Sequence, residues 1–323
     1  MKKLLSPLSW IYKGAMQARN GLFDFGLRPQ VSLDCPVVSV GNLTLGGTGK
    51  TPIVSHLLNW AKARDIKAGV VSRGYGGQIK TVAKVQDSSY GAQVFGDEPY
   101  MLFKNHSGTP IYVGPKRVSV AQELLRNEKV DLIFADDAFQ HRSLARDLDL
   151  VVIDAMEPQE NYQVLPAGRL RESVNAIGRA HFVLLNKANL VSPERLDEIV
   201  SFFKLETGSF AKIDYALKPI AVSEKGLLVT GVGRPESVEQ LVREVNIPLV
   251  KHLAFADHYK YSEDDAKGFV AQARGGPILT TAKDAVKLKE FDFLQEHLVV
   301  LELVLKPEES VGLLYDKIIS LLS

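Results

Sequence analysis

The sequence lacks the residues that stabilise small secreted proteins. Cys35 is the single cysteine among 323 residues, which excludes an intrachain disulfide and a zinc site built from several thiolates. Long apolar runs are lacking too, because Ser6, Pro7 and Lys13 interrupt the N-terminal one and leave it too short to span a bilayer. A reducing compartment fits this composition.

An excess of charge of either sign is also lacking. Lys and Arg total 39 against 38 Asp and Glu, for a net charge of +1. Chain-wide nucleic-acid binding, which needs a strong basic excess, is therefore not expected. With 46% hydrophobic and 24% charged residues, the chain has an ordinary globular composition, and its length predicts two domains.

The first 28 residues are the exception to this balance, with five basic residues against Asp24 alone. Ser6-Pro7 predicts a helix start. Apolar residues then recur at helical spacing on one face: Leu8, Ile11, Ala15, Ala18, Leu22 and Phe25. The sequence leaves two interpretations open. Such a basic amphipathic helix lies in a membrane interface, or it packs on its own domain.

Short β-branched runs alternate with helical stretches along most of the chain. This pattern predicts an α/β fold, with a P-loop NTPase-like parallel sheet covered by helices on both faces. Two short extended pieces near 211–222 are interpreted as a hairpin linker, and a second, smaller α/β set follows. We therefore expect an N-terminal helix (1–28), a P-loop domain (29–210), the linker (211–222) and a C-terminal α/β domain (223–323).

The motif VVSVGNLTLGGTGKTP at 37–52 is typical of a phosphate-binding loop. A buried-type strand enters a glycine-rich loop, whose N–H groups cradle phosphate, and a helix follows it. Lys50 is expected to reach the β- and γ-phosphates and Thr51 to hold Mg²⁺. The usual pattern has glycine where this chain has Thr44. The strand–loop–helix context nevertheless favours nucleotide binding over a chance Gly-Lys-Thr, with these loop residues as ligands: Gly46, Gly47, Thr48, Gly49, Lys50 and Thr51.

Two pairs of acids are candidates for the chemistry that such a loop needs. Asp136 and Asp137 end a predicted strand, where a second Mg²⁺ ligand is expected; capping of the next turn is the alternative. Asp97 and Glu98 lie in a turn before a predicted helix. A carboxylate there could accept the proton of a substrate hydroxyl, or it could cap the helix. The stretch 139–142 follows the first pair directly and should lie near the phosphates or the acceptor.

Seven motifs occur along the chain in this order: GNLTLGGTGKTP, SRGYGG, FGDEPYML, ADDAFQHR, LPAGRLRE, FADHY and TTAKDAVKL. Together they closely resemble the tetraacyldisaccharide 4′-kinase family, the lipid A 4′-kinases of Gram-negative bacteria. The resemblance implies transfer of the γ-phosphate of ATP to the 4′-hydroxyl of lipid A disaccharide 1-phosphate, which forms lipid IVA. It also implies a peripheral position at the cytoplasmic face of the inner membrane, through the N-terminal helix.

The resemblance further implies roles for individual residues, with ATP and Mg²⁺ as ligands. Asp97 corresponds to the acid that activates the acceptor hydroxyl, His258 to its partner and Lys50 to the phosphate-binding lysine. The implied metal ligands are Thr51, Asp136, Asp137 and Glu98. The implied substrate contacts are His141, Arg117, Arg169 and Arg171. Two positions depart from the family pattern, since Ala282 stands where an acid is common and Arg169 where proline is common.

Two other functions stay open at this point. A soluble kinase of a small hydroxylated metabolite would have no use for the basic N-terminal helix with its Trp and Phe residues. A nucleotide-dependent switch or metallochaperone-type NTPase would need the P-loop but no base for an acceptor hydroxyl.

Overall fold

The computed structural model describes residues 2–322, which form two sheets and the helices around them. The strands are β1 (Val37–Gly41), β2 (Ala68–Ser72), β3 (Ala83–Lys84), β4 (Ile111–Val113), β5 (Leu132–Asp136), β6 (Leu148–Asp154), β7 (Phe182–Asn186), β8 (Phe210–Leu217), β9 (Gly226–Thr230), β10 (Leu249–Ala254), β11 (Ile278–Thr281), β12 (Leu298–Leu301) and β13 (Leu303–Pro307). The helices are α1 (Lys2–Asp24), α2 (Lys50–Lys62), α3 (Gly91–Phe95), α4 (Asp97–Asn105), α5 (Arg117–Asn127), α6 (Pro193–Phe203), α7 (Pro235–Glu244), α8 (Glu263–Ala273), α9 (Ala282–Leu288) and α10 (Gly312–Ile319).

The larger sheet has nine strands in the order β13-β8-β7-β6-β1-β5-β2-β4-β3. Its pairs are parallel except β3 with β4 and β13 with β8. Every residue of the central strands β1, β5, β6 and β7 is buried, because helices cover both faces. Parallel strands covered in this way are nearly continuous apolar runs rather than alternating ones, which is why the sequence identified them. The predicted fold class is confirmed.

Alternate residues of the central strands belong to different cores. Val38 and Phe134 pack with Leu57 of α2 on one face. Val37 packs with Leu124 of α5 on the other. The period of two along each strand therefore places the helix that follows the phosphate-binding loop against the middle of the sheet.

The smaller sheet has four parallel strands in the order β10-β9-β11-β12. The sequence predicts its strands near 226–230, 277–281 and 298–303, but not β10. That strand lies at an edge and all six of its residues are half-buried or exposed, so it lacks the apolar run that indicates a buried strand. The seven-residue helix α9, also not predicted, follows directly on β11.

The stretch expected to form a hairpin linker belongs largely to β8. This strand pairs in parallel with β7 and antiparallel with β13, which comes from the far end of the chain. After β13, α10 packs on α2, where the Tyr315 ring stacks on Trp60 at 4.9 Å. The C-terminal segment of the expected domain 223–323 thus returns to the larger sheet. A local sequence pattern does not show this return, and the domain limits stay a prediction.

The N-terminal helix α1 begins at Lys2, four residues before the predicted cap, and Pro7 lies inside it. The predicted start at Ser6-Pro7 therefore lies inside the helix, where proline removes one backbone hydrogen bond and crowds the carbonyl four residues earlier. The predicted apolar face of α1 is exposed from Leu8 to Leu22, and so is Phe25 directly after the helix. The opposite face packs on the protein, with Phe23 buried. No helix within residues 2–322 is both long and apolar enough to cross a membrane.

Candidate active site

The phosphate-binding loop lies between β1 and α2, at the carboxyl end of the larger sheet. Gly46 and Gly49 have φ values of 103° and 84°, which residues with a side chain rarely adopt. Asn42 Nδ2 donates to Thr48 Oγ1 at 2.9 Å and closes the loop. No side chain caps the start of α2. The first N–H groups of the helix therefore face the loop and can bind an anion there.

Thr44, the residue that departs from the usual pattern, lies in an extended part of the loop. It forms an antiparallel bridge with Leu170, and the N–H of Leu45 donates to the carbonyl of Arg169 at 2.7 Å. Its φ is not positive. A threonine is therefore accommodated without strain where a turning loop would require glycine.

Asp136 ends β5 beside the phosphate-binding loop and is fully buried. Its Oδ2 accepts from Ser72 Oγ at 3.1 Å, whereas Oδ1 is buried without a hydrogen-bond partner. Burial, with Glu98 and Asp137 as further negative charges, raises the pKa of Asp136 to about 7. The charges of Lys50 and Arg117 offset this effect only in part, so a cation at the unpartnered Oδ1 would further stabilise the carboxylate.

Asp137, the adjacent acid, is by contrast already paired. It accepts from Arg171 Nη1 at 2.8 and 2.9 Å, and Lys50 Nζ lies 3.3 Å from its Oδ1. Burial raises the pKa of Asp137, but Lys50 and Arg171 outweigh burial and hold the pKa well below its usual range. The neighbouring acids thus occupy opposite electrostatic environments.

Asp136 and Thr51 are the residues that could hold Mg²⁺. Mg²⁺ usually keeps several waters and binds one or two carboxylates together with substrate phosphates. The unpartnered Oδ1 of Asp136 fits that requirement better than Asp137, whose oxygens already accept from Arg171. No group of three or more His, Cys, Asp or Glu residues converges as a metal site in the part of the chain that the structure describes. A site that includes the nucleotide's own oxygens needs no such group.

Asp97 and His258 come together from different sheets. Asp97 is the first residue of α4, and His258 follows β10 in a left-handed conformation with φ of 60°. Asp97 Oδ2 lies 3.2 Å from His258 Nδ1 and 3.1 Å from Lys287 Nζ. Burial raises the pKa of Asp97, but His258 and Lys287 outweigh burial and lower it overall. The carboxylate is therefore ionised at neutral pH.

A second lysine lies on the other side of His258. Lys283 Nζ lies 2.8 Å from Asp257 Oδ1, 3.2 Å from His258 Nε2 and 3.5 Å from Glu98 Oε1. Burial lowers the pKa of Lys283, but the acids Glu98 and Asp257 outweigh burial and raise it. Five charged groups (Asp97, Glu98, Asp257, Lys283 and Lys287) and one imidazole thus form a continuous cluster between the sheets.

A cavity of about 330 Å³ opens beside these acids. Six of the predicted site residues line it: Glu98, Arg117, Asp136, Asp137, His141 and Arg171. Its rim includes Tyr12 and Met16 of α1 together with Leu45 and Leu165. The cavity therefore combines a charged floor with a less polar edge to which the N-terminal helix contributes.

Comparison with known proteins identifies the chain. The sequence profile of the family "Tetraacyldisaccharide-1-P 4'-kinase" matches residues 1–319. The chain belongs to this family. It is 36% identical over 306 residues to the tetraacyldisaccharide 4′-kinase of Bdellovibrio bacteriovorus, covering 90% of each chain. It is 36% identical over 311 residues to that of Chlorobaculum tepidum, covering 91% of this chain and 89% of the relative.

A solved structure of the same family has the same fold. The crystal structure of LpxK from Aquifex aeolicus in complex with ATP superposes with a TM-score of 0.81 at 26% sequence identity, covering 100% of this chain and 99% of that one. The resemblance predicted from the seven motifs is thus confirmed.

Three of the four residues expected to contact the substrate lie in surroundings that differ from one another. Arg117 is fully buried and donates to the carbonyl of Asp136 at 3.0 Å, so it supports the end of β5. Burial and the charge of Arg117 lower the pKa of His141 to about 4, which leaves a neutral ring in the cavity. Arg169 does not line the cavity; its guanidinium covers Gly46 and lies 3.3 Å from Glu157.

Sequence reasoning missed several residues that contact the predicted site. Lys283 and Lys287 lie in TTAKDAVKL at a spacing of four, which places both on one helix face. That spacing is the sequence pattern from which the two lysines could have been predicted to lie together. Asn186 Nδ2 donates to the Thr48 carbonyl and to Tyr215 Oη, each at 2.8 Å. Nothing in the local sequence of β7 or β8 indicates that contact with the loop.

Proposed function

We propose that this protein transfers the γ-phosphate of ATP to the 4′-hydroxyl of a tetraacylated glucosamine disaccharide 1-phosphate, with Mg²⁺ as cofactor. The observation that carries the proposal is the cavity. Its floor adjoins the phosphate-binding loop, and Glu98 connects it to the Asp97–His258 pair. The helix α1, whose other face is apolar and exposed, contributes Tyr12 and Met16 to its lining. A phosphorylated sugar with acyl chains has both kinds of surface.

On the nucleotide side, the chain's contribution is positioning and charge. The loop N–H groups and the start of α2 would bind the β- and γ-phosphates. Lys50 would leave its contact with Asp137 and bind the transferring phosphoryl group instead. Its ammonium could pair with either anion. Mg²⁺, held by Asp136 and Thr51, would supply neutralisation of the charge that develops on the phosphates.

On the acceptor side, Asp97 would receive the proton of the attacking hydroxyl. His258 and Lys287 both contact Oδ2, and no group in residues 2–322 donates to Oδ1, so Oδ1 is the oxygen that would face the hydroxyl. The lowered pKa makes Asp97 a weak base. That suffices for a loose phosphoryl-transfer transition state, in which the attacking oxygen gains little charge before the bond forms.

The exposed face of α1 supports a position on a membrane surface. Trp10, Ile11 and Phe25 are 78, 71 and 82% exposed, although a core-facing helix would bury such residues. A basic amphipathic segment with aromatic residues binds the interface of an anionic bilayer. We therefore propose a peripheral position at the cytoplasmic face of the inner membrane, with the sugar in the cavity and the acyl chains in lipid.

The alternatives account for fewer of these features. A kinase of a soluble metabolite leaves the exposed apolar face of α1 without a role. A switch NTPase leaves the Asp97–His258 pair without one.

The decisive test is a transfer assay with γ-labelled ATP and Mg²⁺. Lipid A disaccharide 1-phosphate and, separately, soluble glucosamine derivatives would be offered as acceptors. We expect label on the lipid alone, and Asp97→Asn should lower the rate at least ~10²-fold, the scale of losing a general base, while ATP still binds. Label on soluble sugars at a comparable rate would refute the lipid substrate, and unchanged transfer by Asp97→Asn would refute the base.

A further inference from the structure

The two ring nitrogens of His258 face groups of opposite hydrogen-bonding character. Nδ1 lies 3.2 Å from Asp97 Oδ2, and Nε2 lies 3.2 Å from Lys283 Nζ. An ionised carboxylate only accepts hydrogen bonds, whereas a lysine ammonium only donates them. Both contacts are satisfied when Nδ1 carries the proton and Nε2 is unprotonated.

The other neighbours of His258 offer no second arrangement. Asp257 is the nearest acid to Nε2, but its Oδ1 lies 3.9 Å away, beyond hydrogen-bond distance. Lys283 stands between them and donates to Asp257 at 2.8 Å. The ring of Tyr75 contacts the imidazole edge-on at 5.1 Å between centroids and provides no acceptor in place of Asp257. A proton on Nε2 would therefore point at the ammonium of Lys283.

Lys283 is held in this position by the smaller sheet. It lies in the first turn of α9, next to Asp284, whose carboxylate accepts from the N–H of Gly231 at 2.9 Å and from Tyr261 Oη at 3.0 Å. Asp284 is fully buried, so the start of α9 is fixed against β9. The ammonium thus reaches His258 from a rigid element rather than from a free loop.

We propose that Lys283 is a positioning residue, which holds His258 in its neutral tautomer with the proton on Nδ1 and thereby orients the imidazole on Asp97. The proposal deepens the proposed function, on which its kinetic consequence rests. Nδ1–H donates to Oδ2 of Asp97, and Oδ1 is left toward the acceptor hydroxyl. Without Lys283, Nε2 could take the proton, and the hydrogen bond that fixes the carboxylate would be lost.

The tautomer can be measured without any substrate. Protein labelled with ¹⁵N-histidine would be studied by long-range ¹H–¹⁵N NMR at pH 7, with His258→Gln used to assign the resonances. We expect a protonated Nδ1 and an unprotonated Nε2 in the wild type. In Lys283→Met we expect Nε2 to become protonated, whereas Lys283→Arg, which also only donates, should keep the wild-type pattern. A wild-type ring protonated on Nε2, or a pattern unchanged in Lys283→Met, would overturn the proposal.

Kinetics then test whether the tautomer matters for transfer. Lys283→Met should lower kcat by about 10- to 100-fold, less than complete loss of a general base, with the KM for ATP within twofold. Lys283→Arg should recover most of the rate. Lys289→Met, at an exposed lysine beyond the end of α9, is the charge-matched control and should behave as the wild type. A raised KM for ATP with unchanged kcat would place Lys283 on the nucleotide and contradict the proposed role. Failure of the lipid as acceptor would refute the proposed function and leave the NMR result valid.

Discussion

At the scale of single residues, the adjacent acids Asp136 and Asp137 of the candidate site differ in their hydrogen-bond and ion-pair partners. The pairing of Asp137 with Lys50 and Arg171 is complete, whereas Asp136 has one buried oxygen without a partner. The sequence predicted both at a strand end beside the loop. It could not predict the difference, because Arg171 comes from a distant loop and Ser72 from a neighbouring strand.

Replacing Asp136 by Asn should stabilise the protein when Mg²⁺ is absent. The fold raises the pKa of Asp136 from 3.8 to about 7, so folding favours its protonated form. Its contribution to stability is greatest below pH 4, falls as the pH rises toward 7 and is constant above. At pH 8 with chelator, Asp136→Asn should therefore unfold at a higher temperature than the wild type. Its free energy of unfolding should be higher by at least ~1 kcal/mol, since one pKa unit is worth about 1.4 kcal/mol.

Calorimetry between pH 4 and pH 8 checks this expectation. The advantage of Asp136→Asn should shrink toward pH 4, and Mg²⁺-ATP should stabilise the wild type but not the variant. Asp34→Asn, at an exposed acid, controls for the loss of a negative charge. A variant that is no more stable than the wild type at pH 8 would show that Asp136 is not destabilised by its burial.

At the scale of elements, the phosphate-binding loop is supported from behind by the ends of two strands. Asn186 at the end of β7 donates to the Thr48 carbonyl, and Tyr215 of β8 accepts from the same amide. Gly49 lies against both, since a Cβ there would overlap Asn186 Nδ2 and Tyr215 Oη. The geometry of the loop therefore depends on β8, the strand from which the chain leaves for the smaller sheet.

Gly49→Ala should weaken ATP binding by more than backbone strain alone explains. Gly208 provides the comparison, because its φ of +83° nearly equals the +84° of Gly49, while no atom lies within 4 Å of a Cβ there. Both variants incur the left-handed penalty of roughly 1–2 kcal/mol, but only Gly49→Ala displaces Asn186 and Tyr215. Chemical denaturation and titration calorimetry with Mg²⁺-ATP would separate the two effects. Equal losses in both variants would mean that the contact behind the loop is not needed.

At the scale of the whole molecule, local sequence patterns predict the buried strands and helices. They miss the elements whose partners are exposed or distant in sequence. The central strands and α2 were identified because their residues are continuously apolar or have helical spacing. The edge strand β10, the returning β13 and the role of β8 as a sheet member were not, since exposed or distant partners leave no local pattern. For the same reason His258 was assigned only by family resemblance.

The larger and the smaller sheet contact each other at the candidate active site. Arg234, which follows β9, pairs with Asp154 at 3.1 Å and with Glu157 at 2.6 Å. Both acids are buried, and both belong to the part of the chain that forms the larger sheet. Gly233 beside Arg234 lies against Gly47 of the phosphate-binding loop. Loops of the smaller sheet thus contact both the phosphate-binding loop and Asp97. Tyr12 and Met16 of α1 line the cavity of the same site, so the orientation of α1 on a membrane would decide where the acceptor enters.

Replacing Trp10, Ile11 and Phe25 together by Ser should detach the protein from membranes and spare its fold. These side chains are exposed, and the packed face of α1, with Tyr12 Oη donating to the carbonyl of Arg171 at 3.0 Å, is left intact. Burying one large apolar side chain in lipid is worth about 1.5–3 kcal/mol. Co-sedimentation with phosphatidylethanolamine–phosphatidylglycerol vesicles should therefore fall at least ~10-fold, while ATP affinity stays unchanged.

The matched control removes three apolar side chains of moderate exposure elsewhere on the surface, at Val245, Phe293 and Leu313. Their joint replacement by Ser should leave vesicle binding as in the wild type, because they lie outside α1. The transfer rate separates two roles of the helix. If α1 only anchors the protein, the triple α1 variant should regain its rate when the acceptor is dispersed in detergent, since the sugar then reaches the cavity without a bilayer. Vesicle binding that survives the α1 substitutions would exclude this face as the membrane contact.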